Sequence, residues 1–208
     1  MNILSEFSYD NVDSLQFDVL REIGNIGAGN ATTALSQLLN SKIDMKVPLV
    51  ELLGFQELPD IIGGAENLIV GILLTLEGDT DGMMMFMLEK ESAHHIINIL
   101  LQKDLQSFDD FSEMDLSALS EIGNIIAGAY LSSISTLTNL TITSSIPYMS
   151  IDMAGAILSV PAIEFGKVGD KALVIKTQIS ENNQEVNGYF VLIPTMDSYI
   201  KMMSSLGL

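Results

Sequence analysis

Two glutamate and asparagine pairs hold what chemistry this sequence can offer. Glu22 stands three residues before Asn25, and Glu121 three residues before Asn124. A carboxylate can hold a cation, and an amide can orient a water through its adjoining donor and acceptor. The pair is chemically incomplete, because it supplies no strong base at neutral pH and no nucleophile. It can promote hydrolysis only of a substrate that brings its own electrophile, metal and lysine.

Both pairs belong to a longer repeated stretch. Asp18-Val-Leu-Arg-Glu22-Ile-Gly-Asn25-Ile-Gly-Ala-Gly29 returns 99 residues later as Ser117-Ala-Leu-Ser-Glu121-Ile-Gly-Asn124-Ile-Ile-Ala-Gly128. At about 100° per residue, Asp18, Glu22, Asn25 and Gly29 share one narrow polar stripe of a helix, as do Ser117, Glu121, Asn124 and Gly128. The opposite faces carry Phe17, Leu20, Ile23, Ala31, Ala34, Leu35 and Leu38, and in the second copy Leu116, Leu119, Ile122, Ile126, Ile134 and Leu137. Both helices read as amphipathic, with those residues toward a core.

A lone glutamate on a helix is ordinarily a solvated side chain. A mid-helix asparagine is disfavoured by propensity and is usually placed for a hydrogen bond, so its return at the same spacing argues for a shared task. Gly29 and Gly128 lie on the polar stripe, where glycine costs roughly 1 kcal/mol relative to alanine, which points to clearance for something outside. Gly27 and Ala31, on the core face, let two helices approach. The glycine-rich run is no phosphate loop, since Asn30 and Ala31 stand where Lys and Ser or Thr are needed, and it sits mid-helix rather than after a strand. His94 and His95, the only histidines, lie in another predicted helix and read as surface or satisfied residues; no metal site is expected.

The elements that must position these groups follow in order. A helix is predicted over 14–40, capped by Asp13 or Ser14, then a strand over 43–53 in which Pro48 demands an edge or a bulge. A turn at 59–64 leads to a hairpin of strands 68–76 and 83–88 and a helix over 89–102. After an acidic connection at 103–112, a helix over 113–139 precedes a strand over 141–151 that contains Pro147. The apolar segment 152–160 is of ambiguous type; a hairpin of 171–180 and 188–193 turns around 181–185, and a last helix spans 195–206.

Each half therefore reads helix, strand, connection, hairpin, helix, over about 14–103 and 113–208. Ten of nineteen residues are identical between 22–40 and 121–139, and the same offset carries Pro48 onto Pro147. Because each half alone would make a marginal core, the expectation is an α/β (α+β) fold: a pseudo-twofold duplicated unit forming one domain, 1–208, around a shared sheet.

Composition narrows the partners. Nine basic against 27 acidic residues give a net charge of −18, which repels phosphate backbones and anionic lipid surfaces, so nucleic acid is excluded and a basic or lysine-presenting partner is favoured. No cysteine is present, which removes disulfides, thiolate nucleophiles and Cys-ligated zinc. No stretch reaches the roughly 18 apolar residues of a membrane span, and the N-terminus has no secretion pattern, so the expectation is a cytoplasmic chain without membrane insertion.

The pattern Asp18 or Ser117, three residues, Glu22 or Glu121, two residues, Asn25 or Asn124, then 22 residues to Pro48 or Pro147, resembles the signature of the CheC-type chemotaxis phosphatases. The resemblance extends from about residue 14 to the end. It implies hydrolysis of the aspartyl phosphate of the phosphorylated response regulator CheY, with Glu22 and Glu121 pairing to the regulator's lysine and Asn25 and Asn124 placing the attacking water. It implies no cofactor of the chain's own, the Mg²⁺ being supplied by the regulator. It also implies binding of CheD, a receptor deamidase, where Asp152-Met-Ala-Gly-Ala156 resembles part of a docking region led by Asp152. Two other readings compete: a non-catalytic adaptor holding regulator or CheD, and a dimerising helical scaffold built on the small residues.

Overall fold

Apolar residues in strict alternation build the centre of the molecule. In β3 (Gly82–Glu89), Met84, Phe86 and Leu88 join one core while Met85 and Met87 join another on the opposite side. β2 (Leu68–Gly78) divides in the same way, sending Val70, Ile72, Leu74 and Leu76 to one face and Ile69 to the other. Period two over a sheet covered on both sides explains why these strands read as unbroken apolar runs. The computed structural model describes residues 14–101, 103, 111–165, 171–181 and 184–208. The expected cap at Asp13, most of the acidic connection and the turn at 182–183 lie outside the described residues.

The seven-stranded sheet is antiparallel throughout, in the order β1 (Asp44–Gly54), β6 (Lys171–Glu181), β7 (Gln184–Pro194), β3, β2, then β4 (Ile142–Ser144) with β5 (Tyr148–Met153) also paired to β2. β1 of the first half thus pairs with β6 of the second, while β4 and β5 of the second pair with β2 of the first. The two hairpins meet at the centre, where Phe86 faces Phe190. One face carries the long helices α1 (Ser14–Leu39) and α4 (Glu113–Thr138) with α3 (Lys90–Leu101) and α6 (Met196–Ser205). The other carries α2 (Leu58–Ile61) and α5 (Ala154–Phe165), packed through Leu58, Ala154, Ile157 and Leu158.

Both prolines perturb edge strands. Lys46 pairs with Gln178 but Leu49 with Lys176, so two residues, Val47 and Pro48, oppose one on β6. Ser144 pairs with Leu76 but Tyr148 with Leu73, so three residues oppose two on β2, and the strand expected over 141–151 is split at Pro147. A proline has no N–H for the ladder, and an extra residue at each edge absorbs the loss. The segment 152–160 resolves into the end of β5 and the start of α5, whose first amides at Ala154 and Gly155 donate to Asn67 O and Ala65 O at 2.8 and 2.9 Å. Gly71 admits this helix to the sheet, because a Cβ there would lie 2.7 Å from Ile157 Cγ2.

α1 and α4 pack on each other by a large-into-small fit. A Cβ at Gly27 would lie 2.7 Å from Tyr130 Cε1, and Tyr130 is fully buried, stacked on Phe190 with ring centroids 4.2 Å apart. Asn30 Nδ2 donates to Ser133 Oγ at 3.3 Å across the same contact. Both helices end on an asparagine in the left-handed region, Asn40 and Asn139, with φ of 47° and 55°. That conformation closes a helix at the cost of few alternatives to glycine. The expected core faces hold in their middles but loosen at the ends: Leu20, Ile23, Ala31 and Leu35 are buried, while Leu38 and Leu137 remain 41% and 37% exposed.

Candidate functional site

Each polar stripe is on the surface. Asp18, Glu22, Asn25 and Gly29 are exposed on α1; Ser117, Glu121 and Gly128 are exposed on α4, with Asn124 half-buried. Side chains at i and i+3 of a helix stand roughly 5–6 Å apart at Cβ, so each Glu and Asn form one adjacent donor and acceptor set. Among the described residues none of these four side chains makes a hydrogen bond or ion pair within the chain. Polar groups held on rigid helices and left unengaged keep their full bonding capacity for something that docks.

The helices are anchored differently. Under α1 the bulge at Pro48 turns Val47 toward the helix, and a Cβ at Gly24 would lie 3.5 Å from both Val47 Cγ1 and Ile175 Cγ2. Gly24 is thus a close-fitting seat next to Asn25, and the 22-residue interval to Pro48 is the chain's path from helix to the edge strand that supports it. α4 begins with a reciprocal cap: Ser112 Oγ accepts from Asp115 N at 3.4 Å, and Asp115 Oδ2 accepts from Ser112 N at 2.8 Å. Lys103 Nζ reaches Asp115 Oδ1 at 2.5 Å, and the aspartate side chain has no exposed surface. Burial pushes its carboxyl up, but the bonds from Lys103 and Ser112 outweigh burial and hold it below the ordinary value of 3.8.

The glycines of the stripe separate from those of the core. Around a Cβ at Gly29 or Gly128 nothing lies within 4 Å, so among the described residues neither glycine is needed for packing. Two residues absent from the expected set share the stripe. Leu15 and Met114 precede Asp18 and Ser117 by three positions, again 99 apart, and are 57% and 67% exposed. Extending the three-and-four spacing one step toward the N-terminus would have found them.

His94 and His95 sit on α3, away from both stripes. His94 is buried, its ring 4.8 Å from that of Phe111, rather than on the surface. Among the described residues no three His, Cys, Asp or Glu side chains gather as metal ligands. Asp152 lies on neither stripe. It is exposed near the end of β5 and lines a groove of about 190 Å³ with Tyr148, Ser150, Ala156 and Val160 on the α5 side of the sheet. Tyr148 and Val160, which line the groove, are 69% and 46% exposed. Among the described residues no helix is long and apolar enough to cross a membrane.

A family model described as the CheC-like family matches residues 15–52 and 114–147, the segments that carry the two stripes. The chain is 40% identical to the CheY-P phosphatase CheC of Bacillus subtilis (strain 168) over 203 residues, 96% of this chain and 97% of that relative. In fold it is similar to FliY of Thermotoga maritima, with a TM-score of 0.76 at 22% identity over 95% of this chain and 98% of that one. It is also similar to the structure of a CheX-CheY-BeF3-Mg²⁺ complex from Borrelia burgdorferi, with a TM-score of 0.52 at 18% identity over 84% of this chain and 97% of that one. Near-complete coverage at that identity, together with the two matched segments, makes this chain a member of the CheC-like family.

Proposed function

We propose that this chain is a phosphatase acting on the aspartyl phosphate of a CheY-like response regulator, and that both stripes work. The observation that carries the reading is a Glu and Asn pair at identical spacing on the outer face of each of two long helices, unengaged among the described residues, in a chain 40% identical over 96% of its length to a CheY-P phosphatase. Glu22 or Glu121 pairs with the regulator's lysine and fixes the docked geometry. Asn25 or Asn124 holds a water in line with the phosphorus. The water oxygen bonds to phosphorus as the acyl P–O bond breaks; the regulator's aspartate leaves as carboxylate, and both water protons go with the phosphate. The chain adds positioning, which is the principal means of accelerating phosphoryl transfer where the substrate already holds its lysine and its Mg²⁺.

The strand order supports reading residues of about 14–103 and 113–208 as two copies, since exchanging the halves reverses the order and leaves it unchanged. The groove at Asp152, on the sheet face away from α1 and α4, is the surface assigned to the deamidase CheD. Its one carboxylate beside exposed Tyr148 and Val160 suits an interface with an apolar centre and a charged marker. Regulator and deamidase then bind opposite faces without competing.

The test is phosphate release from purified phosphorylated regulator at saturating Mg²⁺, with and without the protein. Acceleration at substoichiometric protein is expected. No acceleration at equimolar protein would leave a binding module in place of an enzyme.

A further inference from the structure

We infer that each stripe carries a docking footprint longer than its chemical pair, running from an apolar anchor at Leu15 or Met114 to a backbone-approach notch at Gly29 or Gly128. The inference rests on the proposed phosphatase reading and names the regulator as the occupant. Leu15, Asp18, Glu22, Asn25 and Gly29 follow a three, four, three, four spacing, and Met114 to Gly128 repeats it. At about 100° per residue all five fall within roughly 80°, with the anchor about 20° from the glutamate, and the row is about 21 Å long.

Three observations single out the ends of this row. Large apolar side chains stand exposed at the same place on both helices, 57% and 67%, although nearby positions have diverged from Asp18 to Ser117 and from Arg21 to Ser120. At the other end both positions are glycine, in a helix interior that favours alanine, with open space where a Cβ would go. Between them lie the glutamate and asparagine side chains that are unengaged among the described residues. An exposed hydrophobe continuous with a docking surface gains by burial what it loses in water, whereas a glycine lets an opposing backbone come close. The ends therefore hold the regulator while the middle acts on it. Their substitution should alter KM and spare kcat.

The experiment isolates one face at a time. In an Asn124→Ala background, Leu15→Ser is expected to raise KM for phosphorylated regulator about tenfold with kcat within twofold, and Leu15→Met, the second copy's own residue, to restore it. Gly29→Leu should raise KM at least as much while thermal unfolding stays at or above wild type. Met114→Ser and Gly128→Leu in an Asn25→Ala background should repeat the pattern. Unchanged KM in Leu15→Ser and Met114→Ser would overturn the footprint and leave the phosphatase reading intact. Binding to regulator activated with beryllofluoride, titrated in parallel, separates the two: tighter binding by wild type than by Leu15→Ser without any turnover would keep the footprint and remove the enzyme. Equal binding without turnover would remove both.

Discussion

The α1 and α4 stripes carry the same glutamate and asparagine in different settings. On α1 the pair stands among charges: Asp18 is bonded to Arg21, both well exposed. On α4 the corresponding residues are Ser117 and Ser120, and the asparagine is half-buried. α1 carries small Gly27 and Ala31 where α4 carries Ile126 and Tyr130, and Gly27 makes room for the Tyr130 ring. Only α4 shows the capping box tied to Lys103 among the described residues. The retained core residues, such as Leu20 and Leu119 or Gly24 and Gly123, answer to the elements packed beneath them. On the outward face what is retained in both is Glu, Asn and the stripe glycine, and among the described residues these engage no neighbour within the chain.

Removing both asparagines should therefore have the largest effect of any change at the surface. Asn25→Ala with Asn124→Ala should cut turnover by about a hundredfold or more while regulator binding, measured by titration, stays within a few-fold, because the amide is assigned to the water and not to docking. Either single substitution should leave the other stripe working. Unequal residual rates in the two single variants would measure directly what the differing settings are worth.

The anchoring of α4 can be attacked from the other side. Lys103→Met leaves a carboxylate with no exposed surface short of its cation and should cost about 3 kcal/mol in chemical denaturation, at the low end for breaking a buried pair because Lys103 itself is 34% exposed. Because the folded carboxyl is held below 3.8, the stability it contributes is fully present above about pH 4 and is lost as the pH falls through the lowered value. Loss of Lys103 should therefore move acid unfolding to higher pH. An unmoved acid midpoint would mean the cap alone holds Asp115 ionised.

Two glycines only two positions apart should respond with opposite sign. Gly27→Ala presses into the buried Tyr130 ring and should destabilise by about 1–3 kcal/mol, whereas Gly29→Ala meets nothing and should stabilise by up to about 1 kcal/mol. Thermal unfolding of the two variants checks both. The smallest effect is expected from rewriting the first stripe as the second: Asp18→Ser with Arg21→Ser removes an exposed i, i+3 pair worth a few tenths of a kcal/mol, so stability should barely change. A large loss would show that the first setting matters to the fold.

Much of this was legible from periodicity. Helices α1, α3, α4 and α6, both hairpins and the bulge demanded by Pro48 follow from spacing and from proline's missing N–H, and the two stripes fall on outer faces as their polar residues require, whereas the short α2 stands where only a turn was expected. Segment 152–160 is ambiguous in sequence because Ala154, Gly155 and Ala156, with Pro161 following, suit a helix no better than a loop until Gly71 opens room for Ile157. The buried setting of His94 and the exposed ends at Leu38 and Leu137 depend on where neighbouring elements stop. The anchors Leu15 and Met114 continue the three-and-four spacing of the stripes, but an apolar residue at a helix start reads as core until its exposure is known.

The two bulged edges close off another mode of association. A flat, unpaired edge strand is a template onto which a second chain can add its own strand, and such edges lead to aggregates. Here the outermost strands each carry a proline and one extra residue, at Pro48 and at Pro147, so neither edge offers an unbroken row of donors and acceptors. Two copies of this chain have little to gain by extending one sheet into the next. Recognition is thereby left to side chains on helices, where a partner can be held briefly, acted upon and released.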